Sequence, residues 1–284
     1  MSGWLKLVGT PIGNLGDISP RAVATLSEAE RIYAEDTRRT RQLLNHLGLE
    51  GKKIIALHAH SSPRDIQQAI GVIREHRVAL VTDAGMPSIS DPGTALVQAA
   101  QEAQLSVSVI PGPSAVTAAV ALSGLVDGPF VFLGFLPRKG GKRREALQLL
   151  NQSELPCVIF EAPTRLTETL QDLAEACGPE RRLAISRELT KKFEETIVDK
   201  LKILAAPDYR EKWLGEFTLV LEKSSGQKEQ HLTLEEVDSR IVSLLSQGIS
   251  KKEIASLIGG ELARGGKKVP KREIYARVLA LAEE

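Results

Sequence analysis

The sequence is poor in cysteine and has no long apolar run. Only two of its 284 residues are cysteines, Cys157 and Cys177, and neither has a second Cys or a His nearby at metal-ligand spacing. We interpret both as buried thiols of a reducing compartment rather than as redox groups. No stretch approaches the roughly 18 apolar residues of a membrane span, and the N-terminus lacks the basic start and apolar core of a signal peptide. We therefore expect a soluble cytoplasmic protein with no membrane partner.

The sequence also has almost no net charge and few aromatic residues. Its 37 Lys and Arg against 36 Asp and Glu leave a formal charge of +1, so nucleic-acid binding would have to come from local basic patches. Aromatic residues make up 4%, which argues against base stacking on an exposed aromatic platform. Hydrophobic residues account for 42%, enough for a substantial core.

Short apolar runs alternate with helical patterns through the first half of the chain. Segments such as 39–47 and 65–73 carry apolar residues at helical spacing, and this alternation predicts a parallel sheet covered by helices. A loop of small or polar residues follows each strand. Ligands of open α/β sheets bind beyond the carboxyl ends of the strands, so we expect the site there. The predicted strands are Leu5–Val8, Arg31–Ala34, Ile54–Leu57, Val78–Thr82 and Val107–Ile110.

A second series of apolar runs follows GLVDGP at 124–129 and predicts a mixed sheet, its last two strands in hairpin-like order. Residues 224–230 are polar and resemble a linker, and GISKKEIASLIG in the tail has the rhythm of a helix, a turn and a helix. The predicted strands are Phe130–Leu133, Cys157–Phe160, Arg182–Ser186, Glu195–Val198 and Phe217–Leu221. We predict an α/β protein with an N-terminal α/β domain at 1–124, a C-terminal α/β domain at 125–224 and a helical extension at 225–284.

The first glycine-rich loop, VGTPIGNLGDIS, stands where a phosphate-binding loop would stand, after a strand and before a helix. Its glycines are Gly9, Gly13 and Gly16, with Pro11 between the first two. This spacing is not that of a dinucleotide-binding loop, and no Lys-Ser or Lys-Thr pair follows as in a nucleoside-triphosphate loop. The loop therefore gives little support to a dinucleotide or a nucleoside triphosphate as the ligand.

Seven blocks occur in order along roughly residues 5–222: VGTPIGNLGDIS, AEDTRRTRQLL, DAGMPSISDPG, PGPSA, GFLPRK, FEAPTRL and RELTKKFEE. Together they resemble the bacterial ribosomal RNA small-subunit methyltransferase I family of the tetrapyrrole methylase class. The resemblance implies two α/β domains of the tetrapyrrole methylase type with a small helical C-terminal extension. It also implies a homodimer that binds S-adenosyl-L-methionine between the domains and methylates the ribose 2′-hydroxyl of a cytidine in 16S ribosomal RNA of the small subunit.

The resemblance implies where the cofactor binds. DAGMPSISDPG would wrap the methionine part, with Gly85 and Pro87 shaping the backbone and Ser88 adding a hydroxyl. Asp83 and Asp91 have an alternative interpretation as helix caps and turn supports. The residues that match cofactor contacts are Pro11, Asp83, Gly85, Met86, Ser88, Ile89, Ser114, Ala115, Glu161, Ala162, Leu189 and Thr190.

A ribose hydroxyl is a weak nucleophile, so a base nearby would assist the transfer. Asp36 and Glu161, each at the end of a predicted strand, are the candidate catalytic residues, and Asp36 is alternatively the N-cap of the next helix. His58 and His60 have the spacing of a metal pair, but no third ligand is evident, so we expect a solvated loop and no metal. The family commonly has His where Thr164 stands here, which weakens any catalytic role for a histidine.

Basic residues cluster in three places. RKGGKRR at 138–144 holds five cations in seven residues, a second group follows the second strand, and 264–277 holds six basic residues against one acid. The first two favour a surface that follows RNA phosphates, and the third is equally consistent with a solvated face. The candidate RNA-binding residues are Arg38, Arg39, Arg138, Lys139, Lys142, Arg143 and Arg144.

Two alternatives stay open at this point. A methyltransferase of the same fold acting on a small tetrapyrrole-like substrate would need a deep apolar cleft and no basic loop. A non-catalytic RNA-binding assembly protein would act through the helical tail and would not bind S-adenosyl-L-methionine.

Overall fold

The computed structural model describes residues 3–58, 61–91, 93–210, 212–224, 234–246, 249–258, 263–264, 267–268 and 271–282. The chain divides into two compact units, Met1–Glu222 and Lys223–Glu284. The second unit begins close to the predicted start of the helical extension at residue 225. From residue 225 onward, the polar linker expected at 224–230 lies outside the described residues.

The first sheet contains five parallel strands in the order β3-β2-β4-β1-β5. All five predicted strands are confirmed, with bounds that differ by a residue or less. Because the strands are parallel, their carboxyl ends and the loops that follow meet at one edge of the sheet. The strands are β1 (Trp4–Val8), β2 (Arg31–Ala34), β3 (Lys53–Ala56), β4 (Arg77–Val81) and β5 (Ser106–Ile110). The helices are α1 (Pro20–Glu28), α2 (Thr37–His46), α3 (Pro63–Glu75), α4 (Thr94–Glu102) and α5 (Ala115–Ser123), with a 3₁₀ turn at Leu15–Asp17.

The second sheet is mixed, as predicted, with the order β6-β7-β10-β8-β9. The strands β6 and β7 are parallel, and the other pairs are antiparallel. Its strands are β6 (Val131–Phe135), β7 (Cys157–Glu161), β8 (Arg182–Arg187), β9 (Glu195–Lys200) and β10 (Phe217–Leu221), and its helices are α6 (Gly141–Gln152), α7 (Leu166–Cys177) and α8 (Leu201–Leu204).

The predicted hairpin-like order of β9 and β10 is wrong. The hairpin is formed by β8 and β9, and β10 inserts between β7 and β8. Burial explains the difference: every residue of β10 is buried, whereas β9 is partly exposed along its length. A strand that is apolar on both faces is stable only in the middle of the sheet.

The helix α5 follows the first sheet in sequence but packs against the second. Its buried Val116 and Ala119 share an apolar cluster with Val158, Ala184 and Val220 of the second sheet. Both predicted α/β domains therefore fall inside the single compact unit Met1–Glu222. Gly124, the predicted boundary, ends α5 in a left-handed conformation. The next strand, β6, belongs to the second sheet.

The second compact unit contains the three helices α9 (Leu234–Ser246), α10 (Lys251–Ile258) and α11 (Lys271–Leu281), and the short antiparallel strands β11 (Ala263–Arg264) and β12 (Lys267–Lys268). The segment GISKKEIASLIG, predicted as a helix, a turn and a helix, contains one helix among its described residues, α10, and α9 ends before the segment begins. The core of the three helices includes Val237, Ile241, Ile254 and Val278. Within the part of the chain that the structure describes, none of the helices combines the length and apolarity needed to cross a membrane.

Candidate active site

A cavity of about 450 Å³ lies at the carboxyl edge of the first sheet, with walls from both halves of the Met1–Glu222 unit. The first half contributes the loops after β1, β2, β4 and β5, and the second half contributes the ends of β6 and β7, Leu189 and the start of β10. Nine of the twelve residues predicted to contact a cofactor line it. They are Asp83, Gly85, Met86, Ile89, Ser114, Ala115, Glu161, Ala162 and Leu189.

Close backbone packing holds three of these loops together. A Cβ on Gly9 would stand 2.7 Å from the Cα of Gly112, so glycine is required where the loops after β1 and β5 meet. Thr10 and Gly85 exchange two backbone hydrogen bonds, Thr10 N–H to Gly85 O at 2.9 Å and Gly85 N–H to Thr10 O at 3.1 Å. Gly85 also has a φ of +83°, a conformation that glycine adopts at no steric cost. The family blocks are thus in direct contact in the folded chain.

Three predicted cofactor residues, Pro11, Ser88 and Thr190, each stand next in sequence to a residue that lines the cavity. Ser88 and Thr190 have positive φ values of 69° and 66°. Their side-chain hydroxyls are buried without a hydrogen-bond partner among the described residues. Each such orphan group costs about 1–3 kcal/mol, and each strained backbone a similar amount. Neither hydroxyl is therefore satisfied within the described chain, although both residues adjoin the cavity lining.

Three carboxylates line the cavity at the ends of β2 and β4, and we call Glu35, Asp83 and Asp91 the carboxylate cluster. Asp83 accepts the backbone N–H of Asp36 at 3.0 Å through Oδ1 and lies 3.4 Å from Arg39 through Oδ2. Glu35 accepts the hydroxyl of buried Thr82 at 3.0 Å. The residues Glu35 and Asp91 of this cluster were not among the predicted site residues.

Burial raises the pKa of Asp91 to about 6, and the negative charges of Glu35 and Asp83 act in the same direction while the Thr82 hydroxyl opposes them. The interpretation of Asp83 and Asp91 as helix caps is wrong. The N-cap of α4 is Gly93, and it makes no side-chain capping bond. Both carboxylates line the cavity instead.

Asp36 is the N-cap of α2, the alternative that the sequence left open. Its Oδ1 accepts the backbone N–H of Arg38 at 2.8 Å, and its Oδ2 accepts the guanidinium of the same residue at 2.8 Å. These bonds hold the pKa of Asp36 far below its usual range. Asp36 is also absent from the cavity lining within the described chain, so its position supports the capping role and not the role of a base.

Glu161 lines the cavity, but its side chain is fully buried and both of its oxygens are occupied. Oε2 accepts the hydroxyl of Thr169 at 2.6 Å, and Oε1 accepts the backbone N–H of Ala162 at 2.8 Å. The guanidinium of Arg165 lies 3.5 Å from Oε1. These contacts make Glu161 a support of the turn at the end of β7, and they leave its carboxylate poorly placed to take a proton from a substrate.

Arg143 is the one predicted RNA contact that the structure contradicts. Only 7% of its side chain is exposed. It donates to Asp172 at 2.7 Å, to the hydroxyl of Thr169 at 3.1 Å and to the carbonyl of Pro137 at 3.1 Å. Arg143 lies on the face of α6 that packs against α7, and helical spacing turns its neighbours outward. The other predicted residues are exposed: Arg38, Arg39, Arg138, Lys139, Lys142 and Arg144.

The structure bears on two further expectations, one about exposed aromatic residues and one about a metal site. Phe135 has 57% of its surface exposed, lines the cavity and packs against Phe160 with ring centroids 5.5 Å apart. An exposed aromatic ring thus stands at the cavity, although the low aromatic content argued against base stacking on such a ring. His60 lies outside the described residues, and among those described no group of three His, Cys, Asp or Glu is arranged to hold a metal ion.

Comparison with known proteins agrees with this geometry. Residues 5–205 match the family of tetrapyrrole (corrin/porphyrin) methylases. A ribosomal RNA small subunit methyltransferase I from Synechocystis is 39% identical over 98% of this chain and 98% of its own length. A protein of the same name from Thermotoga maritima is 44% identical over 77% of this chain and 98% of its own length.

Among solved structures, uroporphyrin-III C-methyltransferase from Thermus thermophilus, complexed with S-adenyl homocysteine, superposes with a TM-score of 0.55 at 18% identity. The match covers 77% of this chain and 97% of that chain, and it establishes the fold. The chain therefore belongs to the tetrapyrrole methylase family and, within it, to the ribosomal RNA small subunit methyltransferase I proteins.

Proposed function

We propose that this protein uses S-adenosyl-L-methionine to methylate the ribose 2′-hydroxyl of a cytidine in the 16S ribosomal RNA of the small ribosomal subunit. The observation that carries the proposal is the 450 Å³ cavity, whose walls are the family's cofactor loops. The proposal includes a cytoplasmic homodimer, with residues 1–124 and 125–224 as the two α/β halves that enclose the cofactor.

The cavity suits S-adenosyl-L-methionine in size and in chemistry. Its volume lies within the roughly 300–1,000 Å³ of small-molecule sites. The N-terminus of α5, at Ser114 and Ala115, borders the cavity and favours a carboxylate such as that of the methionine part. The carboxylate cluster also lines the cavity and favours the positive charges of the ligand.

The bound cofactor supplies a methyl group on a positively charged sulfur, so the protein has mainly to align the acceptor and exclude water. The loops after β4 and β5 form one wall, and the turn at Glu161–Pro163 and Leu189 form the opposite wall. A ribose entering at Phe135 and Ile89, which are both exposed and both line the cavity, would meet the ligand between these walls.

RNA as the substrate is supported by the chain that follows Phe135. Arg138, Lys139, Lys142 and Arg144 are exposed within ten residues of the cavity lining. Phosphates bound to them would place an RNA strand beside the opening, with the ring of Phe135 available for the target base. A small tetrapyrrole-like substrate gives no reason for these four exposed cations close in sequence to the cavity lining.

The proposal is tested by mapping ribose methylation in small-subunit RNA from cells with and without this protein. We expect one 2′-O-methylcytidine to disappear with the protein, and to return when purified protein and S-adenosyl-L-methionine are added to unmodified subunits. Methylation of a base, or of no ribosomal nucleotide, would overturn the proposal.

Two further measurements address the alternatives and the assembly. A protein that shows no calorimetric binding of S-adenosyl-L-methionine would be the non-catalytic assembly protein. Light scattering is expected to give the dimer mass at micromolar concentration, and a monomer mass would remove the homodimer from the proposal.

A further inference from the structure

Methylation of a ribose hydroxyl releases a proton, and both carboxylates expected from the sequence to accept it are already engaged by other residues. Asp36 is held by Arg38 at the start of α2. Glu161 is fully buried, with hydrogen bonds on both oxygens. The carboxylate cluster in the cavity wall provides the remaining candidates.

The three members of the carboxylate cluster differ in how their oxygens are used. Asp83 has one oxygen on the N–H of Asp36 and the other beside Arg39, so both are engaged. Glu35 takes the hydrogen of the Thr82 hydroxyl at 3.0 Å. That hydroxyl has a single hydrogen, so Glu35 and Asp91 compete for it, and Glu35 lies within hydrogen-bond distance. Asp91 is thus left with the least firmly held carboxylate of the three.

We propose that Asp91 is the general base of the methyl transfer, a role that rests on the proposed function. As the bond between the ribose oxygen and the methyl carbon forms, the carbon–sulfur bond breaks and its electron pair stays on sulfur. The hydroxyl proton passes to the carboxylate of Asp91. Product release then exposes the protonated Asp91 to water, which restores the carboxylate.

The surroundings of Asp91 suit this role. Burial, followed by the charges of Glu35 and Asp83, raises its pKa to about 6. Such a carboxylate is ionised near pH 7.5 yet more basic than an ordinary one, which favours proton acceptance. The other charged side chains of the cavity already have partners: Arg39 pairs with Asp83, Glu161 with Arg165, and Glu216 with Lys191.

Asp91→Asn tests the assignment because it keeps the shape of the side chain and removes the base. We expect the single-turnover rate of methylation on small subunits to fall about 100- to 10,000-fold. Calorimetric binding of S-adenosylhomocysteine is expected to change by about threefold at most. Asp91→Glu should recover part of the rate. Asp127→Asn, an exposed aspartate in the turn before β6, is the matched control and should keep the wild-type rate.

Two readouts separate a base from a merely structural residue. The wild-type rate should rise with pH and level off with an apparent pKa near 6, and this dependence should be lost in Asp91→Asn. In the protein without ligands, NMR of ¹³C-labelled aspartate carboxyls should show one group titrating near pH 6 that disappears in the same variant.

Several outcomes would overturn the assignment. One is an Asp91→Asn variant that binds S-adenosylhomocysteine and transfers methyl groups within about threefold of the wild type. If that variant fails to fold, a wild-type rate that is independent of pH between about 5 and 8 would overturn the assignment instead. A wild type that binds S-adenosylhomocysteine but methylates no ribose would overturn the proposed function itself, and the role of Asp91 with it.

Discussion

At the scale of single residues, neighbours in sequence have opposite environments. In RKGGKRR, Lys142 and Arg144 are exposed, whereas Arg143 between them is buried against Asp172 and Thr169. The reason is the helical repeat of α6, which turns consecutive side chains about 100° apart, so that only one of the three faces α7. A charge count along the chain cannot separate a structural cation from a binding one.

Arg143→Ala should lower the free energy of unfolding by about 2–4 kcal/mol, because it leaves Asp172 and Thr169 without their buried partner. Chemical denaturation checks this. Arg144→Ala, one residue away and exposed, is the control and should change stability by about 0.5 kcal/mol or less. Equal stability of the two variants would show that the Arg143 contacts contribute nothing.

Asp91 should make the fold less stable at neutral pH than at acid pH. Its pKa is raised from 3.8 to about 6 in the folded chain. Its contribution to the free energy of unfolding is therefore present in full below pH 4 and is lost as the pH rises through 6. Asp91→Asn should therefore stabilise the protein at pH 7.5 by about 1–2 kcal/mol, a figure reduced for the partial exposure of the group. Denaturation at pH 7.5 and pH 4 checks the sign, and an equal effect at both would contradict it.

At the scale of elements, the loop after β4 combines a glycine at positive φ with two strained serines. Gly85→Ala should cost about 1–2 kcal/mol in backbone strain and weaken S-adenosylmethionine binding at least about tenfold, because Gly85 joins the loop to Thr10 in the cavity wall. Calorimetry and denaturation measure the two effects separately.

Gly48→Ala is the matched control for that loop. Gly48 has a φ of +70°, and no described atom lies within 4 Å of where its Cβ would be. Gly48→Ala should lose as much stability as Gly85→Ala, but its affinity for the cofactor should be unchanged. If both variants keep the wild-type affinity, the loop after β4 does not shape the cofactor site.

The end of β6 presents Phe135 at the opening of the cavity. If its ring stacks on the target base, Phe135→Ala should weaken the binding of small subunits by about 1–3 kcal/mol and leave cofactor binding unchanged. Phe193→Ala is the control, since Phe193 is similarly exposed at 63% but outside the cavity lining of the described chain. A loss of equal size in both variants would indicate a general surface effect.

At the scale of the whole molecule, a net charge of +1 means that attraction to RNA depends on where the cations are exposed. Lys142→Ala combined with Arg144→Ala should reduce the salt dependence of small-subunit binding by up to about one unit of log–log slope for each phosphate that the variant no longer binds. Cofactor affinity and stability should be unchanged. An unaltered salt slope would show that this segment is an ordinary solvated surface.

Much of the architecture could be predicted from local patterns. Each predicted strand, such as Arg31–Ala34 and Phe217–Leu221, is confirmed within one or two residues, because a buried strand is a short apolar run bounded by turn residues. Nine of the residues that line the cavity were found through the family blocks. Glu35, Asp91 and Phe135 were missed as cavity residues, although Glu35 stands beside Asp36 at a strand end and Phe135 lies within GFLPRK.

The sequence by itself determined the alternation of strands and helices, the loops at the carboxyl ends of the first sheet and the family of the protein. The first two features depend on apolar periodicity and turn chemistry over ten residues or fewer, and the family depends on the order of seven sequence blocks along the chain. Only the tertiary structure decided the central place of β10, the packing of α5 on the second sheet, the burial of Arg143 and the raised pKa of Asp91. Each of these depends on contacts between segments far apart in sequence, where burial and neighbouring charges set the chemistry of a side chain.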